Sequence, residues 1–343
     1  MGRMRPHRAG HLSGPGAPTL QDVARVAGVS TATISRALNH AQMVTARTRS
    51  RVELAIAQTG YLPNRLAGGL ASKRSRLVAA LVPSIATSMF NETIEAMSLA
   101  LAAAGYQVVL GITGYDSKGM NDAVTSLLSH RPDALILTSA PADQAIRRRL
   151  RGARVTVIET WDLPRTPVDL AIGFSHRRAG HALAEFVMNR GYRRPLLLTH
   201  ALARGRARME GFLEYWEGHK LAQPVCDISP LAPFAIDGRE RLARFLDGGG
   251  RADVVVCSSD RLAAMVLAEA QARGFRVPVD LAVIGFGASD SAALAVPALT
   301  SVRIDGAMIG RRAAEVLILR AQGHKPASRL IDIGFEILQR DTA

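Results

Sequence analysis

Cysteine is nearly absent from this 343-residue chain, which has only Cys226 and Cys257. Neither sits at a metal-ligand spacing, so a disulfide framework or a zinc module has no basis, and a reducing cytosol is the expected location. No stretch approaches the roughly eighteen consecutive apolar residues that a membrane-spanning helix needs. The first seventeen residues, MGRMRPHRAGHLSGPGA, are basic and rich in Gly and Pro but lack an apolar core. That argues against a secretory signal and for a disordered arm, with Met4 a second candidate start. H-E-x-x-H, G-x-S-x-G and P-loop patterns are missing as well, so an enzyme has no motif behind it, and neither a metal nor a cofactor is called for. Acidic residues are scarce at one end. Between Met1 and Arg76 twelve Lys or Arg face only Asp22 and Glu53, a net of +10 out of a total of +14. An arginine-rich composition would raise the total but not create the asymmetry. A basic head on a nearly neutral body points to a polyanion that meets the head.

The head carries a helix pattern. In LQDVARVAGVSTATISRALN (residues 20–39), Leu20, Val23, Ala24 and Ala27 form one apolar stripe at i, i+3, i+4 and i+7. Gly28 supplies a turn, and Ser30 is a suitable N-cap for a second helix. Ile34 and Leu38 are expected to face inward, leaving Thr31, Ala32, Thr33, Ser35, Arg36 and Asn39 outward, a small, polar, cationic face suited to a major groove. By periodicity alone this is equally a plain helical hairpin. A third helix is expected over residues 45–59, with Val52, Ala55, Ile56 and Tyr61 closing a small core. Thr45 and Thr48 lie at its start, where hydroxyls and amides hold phosphate.

From Ser75 onward short apolar runs alternate with amphipathic stretches of about a dozen residues. The runs are 77–83, 106–112, 134–139, 155–160 and 170–174, then 195–200, 254–258, 281–286 and 299–304. Helices are expected over 89–104, 178–190 and 260–273 between them. This alternation predicts an α/β fold with parallel sheets, and two successive series predict two similar lobes with a ligand cleft at the carboxyl ends of the strands.

The head motif, followed about twenty residues later by GYLPNRLAGGLA (60–71), resembles the N-terminal module of the LacI/GalR family of transcription regulators. The resemblance runs from about Thr19 to Ile337. It implies a helix-turn-helix head at 18–62 after the arm at 1–17, a hinge helix at 63–75, and a periplasmic-binding-protein-like effector-binding and dimerisation body at 76–343. By family position, Thr31 and Ala32 read base edges, Thr19, Ser30, Thr33, Ser35, Asn39, Thr45, Tyr61 and Asn64 hold phosphates, and Leu70 with Ala67 wedges the minor groove. Arg36 can bond a guanine bidentately, although a phosphate contact is also open to it. Leu70 is alternatively a linker residue resting on the body. Gly68 and Gly69 each cost about 1 kcal/mol of helix propensity, so the hinge is expected to be mostly unfolded away from DNA. A single head offers too few contacts for tight binding, so a homodimer on palindromic double-stranded operator DNA is expected. The helix at 94–104 is a candidate interface or ordinary core, and the lack of a leucine-heptad tail after Ile337 favours a dimer over a larger oligomer.

On the ligand side, Arg-x-x-Gly-(aromatic) occurs at Arg208, Gly211 and Phe212, and Arg208 matches the family arginine that binds effector oxygens. An exposed helix arginine is the plain alternative. Ser259 stands before Asp260 where many relatives have Asn before Asp. Gly287 follows Phe286 where sugar-binding relatives carry an aspartate, which removes a repulsion against an anionic ligand. LVPSIATSMFNETIEAM, VIETWD, LAIGF and LIDIGFEI are similar to the gluconate-repressor branch. That similarity implies that Ser84 to Phe90 and the turn at Glu159 and Trp161 border the cleft, with Phe174 and Phe286 as flat faces against the ligand's carbon skeleton. Ser175 and His176 depart from the Asp-Asn commonly found there. The expected function is a cytoplasmic, nucleoid-associated, DNA-binding repressor of sugar-acid genes, released by a small-molecule effector such as gluconate. An activator or a corepressor-dependent regulator that responds to another sugar or a nucleoside is the alternative.

Overall fold

A computed structural model describes residues 18–39, 41–62, 74–86, 88–230 and 237–343. The arm at 1–17 and the hinge residues Asn64, Ala67 and Leu70, together with the side chain of Asn39, lie outside the described residues. The chain divides into two compact units with the break between Ser75 and Arg76.

The first unit contains helices α1 (Leu20–Ala27), α2 (Thr31–Asn39) and α3 (Ala46–Thr59). Thr19 caps α1 in a capping box with Asp22, satisfying amides that would otherwise be orphaned. Gly28 ends it at φ 62, a left-handed conformation that glycine adopts without a Cβ penalty. Val23, Ala24, Ala27, Ile34, Val52 and Ala55 bury themselves as the three-helix core, with Leu20, Ile56 and Tyr61 half-buried around it. One expectation fails. Leu38 is 38% exposed and Ala37 takes the inward position, because the small alanine lets the short α2 lie close against its neighbours.

The second unit is built on two six-stranded sheets. The first has the order β11-β5-β4-β3-β1-β2, with β1 (Leu77–Val82), β2 (Gln107–Ile112), β3 (Ala134–Leu137), β4 (Thr156–Thr160), β5 (Leu170–Gly173) and β11 (Leu330–Asp332), all parallel. The second has the order β12-β10-β9-β8-β6-β7, with β6 (Pro195–His200), β7 (Val225–Ser229), β8 (Val254–Cys257), β9 (Ala282–Phe286), β10 (Thr300–Arg303) and β12 (Glu336–Leu338). Among the described residues only the β10–β12 pairing is antiparallel. Central strands are buried throughout, which is why they read as unbroken apolar runs; helices cover both faces of a parallel sheet.

Helices α4 (Asn91–Ala103), α5 (Ser117–Ser129) and α6 (Gln144–Gly152) follow strands of the first sheet. Helices α7 (His176–Asn189), α8 (Ala203–Glu217), α9 (Gly238–Asp247), α10 (Asp260–Ala272) and the short α11 (Asp290–Leu294) belong to the second lobe. Helix α12 (Gly306–Ala321) returns to pack on α4, where a Cβ on Gly310 would lie 2.3 Å from the Thr93 carbonyl oxygen. Met97 and Leu101 of α4 point into this packing, whereas Leu99 is 67% exposed. The chain therefore passes between the lobes three times, after β5, after β10 and after β11.

Candidate functional site

On the head, Ser30 starts α2 by accepting from the Thr33 amide at 3.1 Å, with the two hydroxyls 2.9 Å apart. Thr45 does the same for α3, accepting from the Thr48 amide at 3.3 Å. Arg51 reaches back from α3 to the Ala27 carbonyl at 2.6 Å, fixing the turn between α1 and α2 and placing a cation at the negative end of α1. On the resulting outer face Thr31, Ala32, Ser35 and Arg36 are exposed and Thr33 is half-buried. Thr19 and Thr45 are exposed at the helix starts, and Tyr61 is half-buried against the core. A short, polar surface with one arginine thus stands on a rigid support, and helix N-termini with exposed amides and hydroxyls flank it.

In the second unit a cavity of about 1360 Å³ lies between the lobes at the carboxyl ends of the strands. Its floor is organised around Arg208 of α8. Its guanidinium carbon lies over the Phe286 ring, 3.8 Å from the ring centre. One nitrogen donates to the Ser258 carbonyl at 3.0 Å and another to His176 Nδ1 at 2.9 Å. Burial, and next the charge of Arg204, lower Arg208 to about 9, which leaves it charged at neutral pH. Arg204 stands one turn earlier on the same helix face and donates to the Thr138 and Thr160 carbonyls of the opposite lobe at 2.6 and 2.9 Å. The Asp162 carboxylate is 3.8 Å from Arg204. Arg208 itself forms no ion pair among the described residues.

Trp161 forms part of the wall. Its backbone is held at φ 67, unusual for a bulky residue, and its side chain is fixed by an Nε1 bond to Thr93 Oγ1 at 3.0 Å and an edge-on contact with Phe90. Phe90 and Phe286 also line the cavity. Ser259 lines it while capping α10, accepting from the Leu262 amide at 3.2 Å. Asp260 lines it too, but its carboxylate is engaged by the Ser301 hydroxyl and, at 2.7 Å, by the Ser289 amide. Gly287 follows Phe286 at φ 125, a backbone conformation reserved for glycine, so no carboxylate can be carried there without rebuilding the turn.

Three expected cleft residues are placed elsewhere. Glu159 is wholly buried beneath the site, paired with Arg147 at 3.2 Å and accepting from the Val168 amide at 2.7 Å, and burial raises its carboxyl above the ordinary value. Phe174 is wholly buried and stacks behind Phe286 without lining the cavity. Ser84 turns its hydroxyl back on the Ala86 amide at 3.0 Å, and its neighbours Pro83 and Ala86 line the cavity in its place. Conversely, Asp162 and Arg204 line the cavity without having been singled out, and His176 lines it at the edge where the sequence departs from the family's Asp-Asn. Arg204 was recoverable from its four-residue spacing to Arg208, and Asp162 from its place directly after Trp161. Beside the floor, His200 lies 3.7 Å from Asp237, which lies 3.7 Å from Arg241, a buried polar layer that no local sequence pattern announces.

Comparison with known proteins agrees with this geometry. Residues 19–64 match the bacterial regulatory proteins of the lacI family, and residues 184–343 match the periplasmic binding protein-like domain. The HTH-type transcriptional regulator GntR of Pseudomonas aeruginosa is 35% identical over 95% of this chain and 96% of its own length. A transcriptional regulator of the same family from Silicibacter pomeroyi superposes with a TM-score of 0.88 at 31% identity, covering 95% of this chain and 99% of that one. The lac repressor dimer bound to operator and the anti-inducer ONPF gives a TM-score of 0.84 at 26% identity, again covering 95% and 99%.

Proposed function

The chain belongs to the LacI family of DNA-binding transcriptional regulators, and from that premise we propose that it is a homodimeric repressor released from a palindromic operator by a sugar acid of the gluconate class. The observation that carries the ligand class is Arg208, a half-buried guanidinium over Phe286 that bonds to no carboxylate. A cation held partly out of water in that position gains most from an anionic ligand, and a planar guanidinium matches a carboxylate bidentately. The glycine-only turn at Gly287 supports the same reading by keeping a second carboxylate away. The carbon chain of an aldonate would then lie against Phe286, Trp161 and Phe90, with its hydroxyls toward Ser259 and Asp162.

Release follows if the ligand favours one arrangement of the lobes, and a coupling of about 1–3 kcal/mol suffices for a 5- to 150-fold change in operator affinity. Arg204 offers a route, since it already spans from α8 to the carbonyls of Thr138 and Thr160 across the cleft and stands one turn from Arg208. For the dimer, Leu99 of α4 and the edge strand β2, with Val109, Leu110 and Ile112 exposed, present an apolar surface suited to a second copy of the chain. Such a regulator acts in the cytoplasm on the nucleoid, which suits its two unpaired cysteines.

The proposal is tested by Arg208→Ala. Operator binding without ligand stays within a few-fold of wild type, and release by gluconate is lost. Persistence of release in that variant would remove Arg208 from the effector site.

A further inference from the structure

We infer that His176 sets the charge class of ligand the cleft accepts, by holding Arg208 through an uncharged ring nitrogen where a carboxylate would neutralise it. This inference rests on the proposed anionic effector and assigns to a residue that departs from the family's common Asp-Asn the reason why the site prefers one.

The argument starts from donor and acceptor inventory. A guanidinium has only donors and a peptide carbonyl only accepts. His176 Nδ1 lies 2.9 Å from Arg208 Nη1, and Nε2 lies 3.0 Å from the Trp161 carbonyl oxygen. Both bonds form only if Nε2 carries the hydrogen and Nδ1 carries none, so the ring is the neutral Nε2–H tautomer. Protonation would turn an N–H toward Arg208 and break the bond between them, leaving the one to Trp161. Burial, followed by the charges of Arg208 and Arg204, accordingly holds His176 well below the usual imidazole range.

The ring is also fixed in place. It is 5% exposed, with its centre 4.4 Å from that of Phe174 and 6.3 Å from that of Phe286. A cation held partly out of water gains from a counter-charge. Here every direct partner of Arg208 is uncharged: the Ser258 carbonyl, the Phe286 face and the His176 ring. Asp162 of the floor lies 3.8 Å from Arg204 and acts on Arg208 only through space, without bonding to it. One carboxylate thus faces two guanidiniums, a positive charge is left for the ligand, and His176 fixes the orientation of Arg208 without consuming that charge.

Replacement by Asn or by Asp separates orientation from charge. In either residue Oδ1 occupies the position of Nδ1, one bond beyond the γ atom, and can accept from Arg208. The two are nearly the same shape and differ in charge and in the second δ atom, an NH2 donor in Asn and a carboxylate oxygen in Asp. Isothermal titration calorimetry on the full chain would use D-gluconate and D-glucitol, which differ only in a carboxylate against a primary alcohol. His176→Asn binds gluconate within about threefold of wild type. His176→Asp binds it at least tenfold more weakly, and its preference moves toward glucitol. Equal gluconate affinity in the Asn and Asp variants, whether kept or lost, would overturn the inference while leaving the anionic effector standing. A wild-type protein that binds no aldonate would instead overturn the effector reading and this inference with it. Should the Asp variant fail to fold, nitrogen NMR of histidine-labelled wild type decides. An Nε2–H neutral ring at His176 that gains no proton as pH falls through the ordinary imidazole range is the expected result, and a ring that titrates in that range contradicts the inference.

Discussion

Replacing Gly180 with alanine probes how the fold holds Arg208. Gly180 of α7 faces the backbone of α8 so closely that an added Cβ would lie 1.9 Å from the Arg208 carbonyl oxygen and 2.9 Å from the Phe212 amide nitrogen. Both are main-chain atoms, so no rotamer change can relieve the clash. The helices must part by about 1.5 Å at this crossing to restore ordinary contact, and overpacking of this kind costs about 1–3 kcal/mol. For a body of this size that is a fall of roughly 2–10 °C in Tm. The same displacement takes Arg208 off its bonds to His176 and Ser258, at 2.9 and 3.0 Å, and off the Phe286 face. Losing one well-placed charge-assisted bond to the ligand costs about 1.5–3 kcal/mol, or roughly 10- to 150-fold in effector affinity. Operator affinity without effector should hold within a few-fold, because the DNA-reading residues belong to the separate head. Differential scanning calorimetry reads the first effect and calorimetric ligand titration the second. A Gly180→Ala protein with unchanged Tm and unchanged effector affinity would refute the claim that this crossing positions Arg208.

Three further expectations concern the head. Gly28→Ala places a side chain at φ 62 and 2.8 Å from Arg51 Nη2, so the helix-turn-helix should lose about 1–2 kcal/mol, seen as faster amide hydrogen exchange in α1 and α2 with the body unaffected. Asp22 is held at about 2 by the Thr19 amide and hydroxyl and by Arg25, below its ordinary 3.8. Its folded value is depressed, so its contribution is present above the ordinary value and is lost as pH falls from about 4 toward 2; hydrogen exchange in α1 should rise over that window in wild type and not in Asp22→Asn. Arg36→Ala should weaken operator binding by about 1–3 kcal/mol and non-specific binding far less. Equal loss of both, measured at one salt concentration, would make Arg36 a phosphate contact.

Much of the fold was legible for a simple reason. Strands such as LVAALV and AVIGF are buried on both faces, so they appear as continuous apolar runs that no helix of that length produces. Apart from β2, the edge strands lack this signature. Val225 and Cys226 of β7 face outward, and β11 and β12 have three residues each, too few to show a period. In α2, Ala37 and Leu38 flank the inward direction almost equally, and only the docking of α1 and α3 decides between them. The site was legible where one element carries it, as at Arg208 on α8 or Ser259 and Asp260 at the start of α10. It was not legible where partners come from different elements. Glu159 looked like a cleft acid until Arg147, twelve residues earlier on α6, claimed it. His176 gained its meaning only when α8 brought Arg208 to it.

The most direct test of the account is fluorescence anisotropy of the full-length protein on a palindromic operator, titrated with gluconate at fixed salt. The account predicts tight binding without ligand and progressive release as gluconate is added. An operator that stays bound at saturating gluconate and other aldonates would contradict an anionic sugar as the inducer.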